Sequence, residues 1–549
     1  MRHLIALGLI GLLALEAGAG EAPKAPAGDA EVEKPPAAPA APVAFDDLTW
    51  VNVTGNVGGE KWGYAGVCTI ASVPGADEVI AGVSESGLWS STDGGASWTP
   101  LGADGPARIT HRPYVIVFDP KDPKTFWVSG SYGPGLFRTA DGGKTFERLG
   151  MLNHTDGVAV DFTDPERKTL LAGLHEKPQS IVCSSDGGKT WRSIGKNLPA
   201  KTNHTANVLA LDSKTFLTSA AGWAKGLAFG IFRTEDAGKT WTQVSDAGAA
   251  GQPLAASDGA LYWGILWSRG LLKSTDQGKT WTPVEGPVKR TPFEAPGGRL
   301  VAVVDDRLHY STDSGATWKP FGPAAPFKPD AAAYHEKRNC FYVSRTTEKK
   351  TDLAIARLDL PQPLAVCMAR KLVVWDGEAA TKGKAWVNPE GSVTFEPQTA
   401  AAHSSASALR FLAKGKGWAA AGWNWHSWWP KDAGTDLAAF RNLVFWVKFG
   451  GDKPPAGAGL VVSLASSDEG GKATGQVDVL KRCPDLFDGA WHEVVVPLED
   501  LYAAAKEKGF NPKKAWQFDL GSWREAEGEF AVVVDDIGFD DRPAAPPKK

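Results

Sequence analysis

Ser91-Thr92-Asp93-Gly94-Gly95-Ala96-Ser97-Trp98 reads as a tight turn between two β-strands, and it returns five more times along the chain. The copies are Thr139–Phe146 (TADGGKTF), Ser184–Trp191 (SSDGGKTW), Thr234–Trp241 (TEDAGKTW), Ser274–Trp281 (STDQGKTW) and Ser311–Trp318 (STDSGATW). Their common form is S/T-x-D-x-G-x-x-W/F. In such a turn the Asp carboxylate accepts backbone N–H bonds, the Gly permits φ > 0 and the aromatic ring closes over the hairpin. Successive aspartates, Asp93, Asp141, Asp186, Asp236, Asp276 and Asp313, stand 48, 45, 50, 40 and 37 residues apart. That is the period of a four-stranded propeller blade. The fold expected is therefore all-β, with the six aspartates structural and on the rim opposite the ligand face.

Cut by this period, the first blade has strands at Val67 to Ser72, Glu78 to Val83, Gly87 to Ser91 and Trp98 to Leu101. Inner strands recur from Val115, Val158, Val208, Leu254 and Phe293. Three more strands, at Ala331 to Tyr334, Cys340 to Ser344 and Leu353 to Leu358, carry no such turn. Leu48 to Val53 looks like an outer strand standing before the first blade. Pairing in the last blade, it would close a seven-bladed ring and leave no exposed edge. The repeat resembles the Asp-box (BNR) repeat of sialidases, xyloglucan-cleaving hydrolases, sortilin-type receptors and a photosystem II assembly factor. The resemblance implies a β-propeller over residues 45–360.

A formal net charge of −4 over 549 residues, without a basic stripe, gives no case for nucleic acid. Arg2 and His3 precede an apolar run from Leu4 to Leu15 and the small residues Ala17-Gly18-Ala19. This is the pattern of a signal peptide over 1–19, too short to span a membrane, and predicts a secreted or periplasmic protein. Residues 20–44 are Ala, Pro, Glu and Lys with no aromatic after the first two dozen positions until Phe45, a linker composition. The five cysteines, at wide spacing, form neither a disulfide framework nor a zinc motif. Cys68 and Cys340 are candidates to bridge the first and last blades.

Pro361-Gln362-Pro363 ends the repeat. Short strands continue at Leu372 to Trp375, Leu409 to Phe411, Leu443 to Lys448, Leu460 to Leu464, Trp491 to Pro497 and Phe530 to Val534, which suggests a β-sandwich over 365–541, followed by a tail at 542–549. Phe440 to Phe449, Asp488 to Leu501 and Phe530 to Phe539 resemble jelly-roll carbohydrate-binding modules of the galactose-binding-like type. That resemblance implies a structural Ca²⁺ where the first and last strands meet, with Asp376, Glu378, Asp535 and Asp536 as its oxygen ligands. No other cofactor is implied.

Aligning the blades on Val115, Val158 and Val208 puts a histidine four residues earlier in each: His111, His154 and His204. With Arg112, Asp156 and Asn207 they would enter the funnel where inner strands converge. Imidazoles are also metal ligands. Loops between second and third strands add Tyr132, His175, Trp223, Trp267 and Arg269. Hydrolysis of a glycosidic bond needs two flanking carboxyl groups, and the funnel offers Asp156, Glu176 and Glu85. In the sandwich, Trp423, Trp425, His426, Trp428 and Trp429 form an aromatic run whose rings could stack on sugars. The function expected is extracytoplasmic binding of a glycan or polysaccharide. A glycoside hydrolase using funnel carboxylates and a protein-binding scaffold are the alternatives.

Overall fold

The repeated turn explains the architecture. In the computed structural model, Ser91 Oγ donates to Asp93 Oδ1 (2.8 Å) and accepts from Gly95 N (2.8 Å). Ser97 closes the ring, its N–H on Asp93 Oδ1 and its hydroxyl on Asp93 Oδ2. The same bonds recur around Asp141, Asp186, Asp236, Asp276 and Asp313. The Ser or Thr four residues after each Asp is thus as much a part of the motif as the Asp. The glycine two residues after the Asp has φ from +78° to +92°. It also lets the turn press on the preceding strand layer: a Cβ on Gly95 would stand 2.6 Å from Val53 Cβ, and one on Gly278 2.4 Å from Leu217 Cδ2. Trp98 reaches the same way, its indole donating to Val53 O (2.9 Å).

The structure describes residues 45–543 except 61, 104–108, 223–224, 370, 378–382, 400–401, 405, 427–433, 469–471 and 504–508. The expected signal peptide and linker, Trp223, Glu378, Trp428, Trp429 and the end of the tail lie outside them.

Seven four-stranded antiparallel sheets follow one another among these residues. The first pairs Val67–Ser72, Val79–Val83, Gly87–Ser91 and Thr99–Pro100 in order. The next five begin at Arg112–Phe118, Thr155–Val160, Asn207–Ala210, Ala249–Ala255 and Phe293–Ala295. The seventh, Ala331–His335, Cys340–Ser344 and Ile355–Asp359, takes its fourth strand from the other end of the chain: Val51 pairs with Arg357 and Asn52 with Ala356. The strand is shorter than Leu48 to Val53. Trp50 instead turns its indole to Pro323 O (3.2 Å). The first strands of the first five sheets touch in succession, and that of the first sheet also touches that of the seventh. This is a β-propeller, with its cores between sheets.

Cys68, Cys183, Cys340 and Cys367 are free thiols. The expected Cys68–Cys340 bridge is absent: the Cys68 thiol bonds Gly66 O (3.1 Å), while Cys340 is buried beside Tyr342.

Beyond the propeller, two six-stranded sheets face each other across one apolar core. One contains Ala408–Lys414, Asn442–Phe449 and Glu529–Asp540; the other contains Lys384–Asn388, Gly417–Asn424, Gly459–Ser466 and Ala515–Arg524. Gly417–Asn424 and Ala515–Arg524 are strands that the hydropathy pattern did not reveal; in the first, the alternate positions Trp418, Ala420 and Gly422 carry no charge. Buried Arg299 of the sixth sheet donates to Met368 O (2.8 Å) and pairs with Asp541 (2.8 Å).

Candidate functional site

The site lies at the loops entering first strands and joining second to third strands. In five sheets the latter loop carries a non-glycine residue in the left-handed region: Glu85, Tyr132, Glu176, Trp267 and Asp305, with φ between +52° and +63°. The repetition marks a shared turn geometry, and it throws these side chains outward.

Around the second and third sheets these loops bring one cluster together. His175 Nδ1 is hydrogen-bonded to Asp156 Oδ2 at 2.7 Å, and its Nε2 stands 2.7 Å from Glu176 Oε1 without hydrogen-bond alignment, so one imidazole lies between two carboxyl groups. Burial pushes the Asp156 carboxyl above its usual range, opposed by the hydrogen bond from His175. Tyr132 packs edge-on to His175 (5.1 Å) and His154 (6.1 Å), and its N–H donates to His154 Nδ1 (3.1 Å). Tyr64 meets Tyr132 edge-on at 5.8 Å. The Arg112 guanidinium lies 5.4 Å from the Tyr64 ring centre and 4.9 Å from that of Tyr114. Tyr64, Tyr114 and Tyr132 are all exposed.

Tyr114 also borders a cavity of about 970 Å³ that continues toward the fifth and sixth sheets, lined by Gln252, Trp267, Arg269, Lys289 and Arg290 among others. Trp267 is 73% exposed, steadied edge-on by Phe229 at 5.4 Å.

Of the residues expected here, Arg112, His154, Asp156, Tyr132, His175 and Glu176 converge, and Trp267 and Arg269 line the adjoining cavity. Two histidines do not open to the funnel. His111 is fully buried against Phe137 (5.4 Å), and burial lowers its pKa to about 4. Gly130 is what accommodates it, since a Cβ there would be 2.3 Å from His111 Nδ1. His204 is buried over Gly222, its pKa also lowered by burial. Asn207 is half-buried in its strand opposite Ser219. Glu85 packs on Gly63 in the first sheet, apart from the His175 bonds. Tyr64 and Tyr114 were missed: no motif or periodicity marks a lone tyrosine.

The repeat-turn aspartates stay bonded within their own turns. Hydroxyl and amide donors hold Asp141, Asp186, Asp236 and Asp276 at about 2, and Asp93 and Asp313 are lowered as well.

In the sandwich the aromatic run divides differently from expectation. Gly422 lies within the strand Gly417–Asn424. Trp423 faces the core, 6% exposed and 4.7 Å from Trp375. Trp425 packs on Phe539 (5.8 Å) and, with His426, bonds the Thr435 hydroxyl. Trp423 is core because alternation within Gly417–Asn424 turns its odd positions inward, and Trp425, just past the strand, is half-buried against the same core. The even positions turn outward: Trp418 pairs with Trp523 across the strands, and both are exposed, at 39% and 51%. Trp418 lies over Gly521, and Trp386 over Gly422 beside Asp519. Burial pushes the Asp519 carboxyl up to about 7, against the pull of the Gln517 amide and the Trp386 indole N–H.

Of the four carboxylates expected to hold calcium, Glu378 lies outside the described residues. His403 N–H donates to Asp535 Oδ2, and Asp536 Oδ2 takes the Ser404 hydroxyl and the His403 ring. Among the described residues no three His, Cys, Asp or Glu side chains are placed to hold a metal ion. Nor is any helix there long and apolar enough to cross a membrane.

No protein-family profile matches the chain. It is similar to a probable oligoxyloglucan-reducing end-specific xyloglucanase of Neosartorya fischeri, 28% identical over 32% of this chain and 21% of that one. A xyloglucanase of Hypocrea jecorina is 23% identical over 57% of this chain and 40% of its own length. The chain thus spans well under half the length of these curated relatives. Among solved structures, a xyloglucanase of Xanthomonas campestris aligns with 67% of this chain and 60% of that one, at 17% identity and a TM-score of 0.38. At that score the likeness carries nothing about the site.

Proposed function

We propose that the chain is an extracytoplasmic polysaccharide-binding protein whose propeller face holds the glycan and whose sandwich adds a second sugar surface. One observation carries the reading: exposed Tyr64, Tyr114 and Tyr132 converge with Arg112 and with Asp156, His175 and Glu176 on one face. Aromatic faces stack on sugar C–H surfaces, and the polar groups bond hydroxyls. The xyloglucanase relatives support a polysaccharide ligand, and the Arg2 to Ala19 pattern supports export. Outward Trp386, Trp418 and Trp523 supply the sandwich surface, replacing Trp423 and Trp425. The test is a glycan array with the full chain and a Tyr64→Ala/Tyr132→Ala variant. Retention by polysaccharide that the variant loses is the expected result; no retention on any glycan would overturn the reading.

A second reading, hydrolysis, is favoured by the pair Asp156 and Glu176 flanking one imidazole. A carboxyl with a raised pKa close to a second carboxyl group is an arrangement glycosidic general-acid chemistry uses. In this reading Asp156 donates the proton to the leaving oxygen and Glu176 acts on the opposite side of the sugar. Release of reducing ends from polysaccharide, lost in Asp156→Asn, is the measurement that separates it from binding alone.

A further inference from the structure

The cavity beside Tyr114 has a charge pattern that a neutral polysaccharide does not require. Its lining includes Arg269, Lys289 and Arg290, and no Asp or Glu among the described residues. Arg269 and Lys289 share one counter-charge, Asp305, at 3.2 and 3.1 Å. Arg290 has its own, Asp330, at 2.9 Å. Arg112, on the other side of Tyr114, forms no ion pair with a carboxylate among the described residues, and its Nε is buried without a hydrogen-bond partner. The three cations lining the cavity thus share two carboxylates, and Arg112, next to Tyr114, interacts with Asp156 beyond ion-pair distance. The remaining acids nearby, Asp156 and Glu176, are turned to His175.

Resting on the glycan-binding reading above, we propose that this cavity takes an acidic glycan, with uronate carboxylates set against Arg269, Lys289, Arg290 and Arg112. Planar guanidinium groups suit carboxylates because two parallel N–H bonds reach both oxygens. A concave site lined by one sign of charge also concentrates ligands of the other sign, and loses that advantage as salt rises. Trp267 favours a glycan over an acidic peptide: its indole stands 73% exposed at the cavity wall and is met edge-on by Phe229. A flat ring fixed in that way offers its face to a sugar ring, whose C–H side is apolar, while the carboxylates reach the cations at the rim. At about 970 Å³ the cavity has room for more than one sugar residue.

The experiment measures binding of the full chain by calorimetry to an oligogalacturonate, a xyloglucan oligosaccharide and an oligoglutamate of equal length. Expected are oligogalacturonate binding about ten-fold or more tighter than the neutral glycan, weakening several-fold between low and physiological salt. Lys289→Gln and Arg290→Gln should each weaken it by about three- to ten-fold with an unchanged melting temperature, and Trp267→Ala should weaken it further. Equal or tighter binding of the xyloglucan oligosaccharide would overturn the inference and leave the glycan reading intact. Oligoglutamate binding as tight as oligogalacturonate would overturn it in favour of an acidic peptide. Binding of neither glycan would remove both the inference and the reading beneath it.

Discussion

Asp156 Oδ2 stands 2.7 Å from His175 Nδ1, and this contact joins two adjacent strands of the third sheet at the mouth of the funnel. Because burial holds the Asp156 carboxyl up, it keeps a proton to higher pH than an exposed Asp. If the chain cleaves its glycan, activity carried by that proton is present at low pH and lost as pH rises through the raised pKa. Asp156→Asn should then lower kcat by about 10²–10⁴-fold, the contribution of a positioned general acid. Reducing-end release against pH checks both points.

Arg167 and Asp119 bind the second and third sheets to each other through two bonds, Nε to Oδ2 at 2.8 Å and Nη2 to Oδ1 at 3.0 Å, with both side chains buried. Removing one partner leaves the other's charge buried and uncompensated, so Arg167→Ala should cost about 3–5 kcal/mol in chemical denaturation. The Arg167 hydrogen bond holds the Asp119 carboxyl low. A depressed carboxyl contributes stability above its unfolded pKa, lost as pH falls through the folded one. The Arg167→Ala protein should therefore show a shallower acid-side loss of stability than the parent.

Trp423 and Trp418 should separate cleanly. Trp423→Ala empties a core position and should cost about 3–5 kcal/mol of stability. Trp418→Ala removes a half-exposed ring and should leave the melting temperature nearly unchanged while reducing retention on polysaccharide. Loss of stability in Trp418→Ala with retention preserved would count against a sugar surface on this sheet.

Asp519 gives the sandwich a pH dependence of opposite sign to that of Asp119. Its folded pKa, about 7, lies above the ordinary carboxylate range, so the folded state holds the proton that the unfolded chain has released. Stability should fall as pH rises from about 4 to 7. Asp519→Asn should flatten that decline, measured as melting temperature against pH.

The repeat around Asp93 to Asp313 determined the propeller, because its turn is closed by bonds among residues two to four positions apart and needs no distant partner. Strand starts such as Val67 and Gly87 followed from the same local chemistry. The loops carrying Tyr132, His175, Trp267 and Arg269 were legible too, since the blade period says which loops share a face. What the period could not say is which side chains on that face are exposed. Alignment put His111, His154 and His204 in equivalent positions, yet only His154 opens to the funnel. The others are enclosed by neighbours from the same and adjacent loops, Gly130 and Gly222 among them. Tyr64 and Tyr114 come from different sheets and meet only through Arg112. In the sandwich, composition flagged tryptophans, but strand alternation assigned Trp423 to the core and Trp418 to the surface. Local hydrogen bonding is written in consecutive residues; burial and charge pairing depend on what packs against them from elsewhere in the chain, and only the tertiary structure decided those.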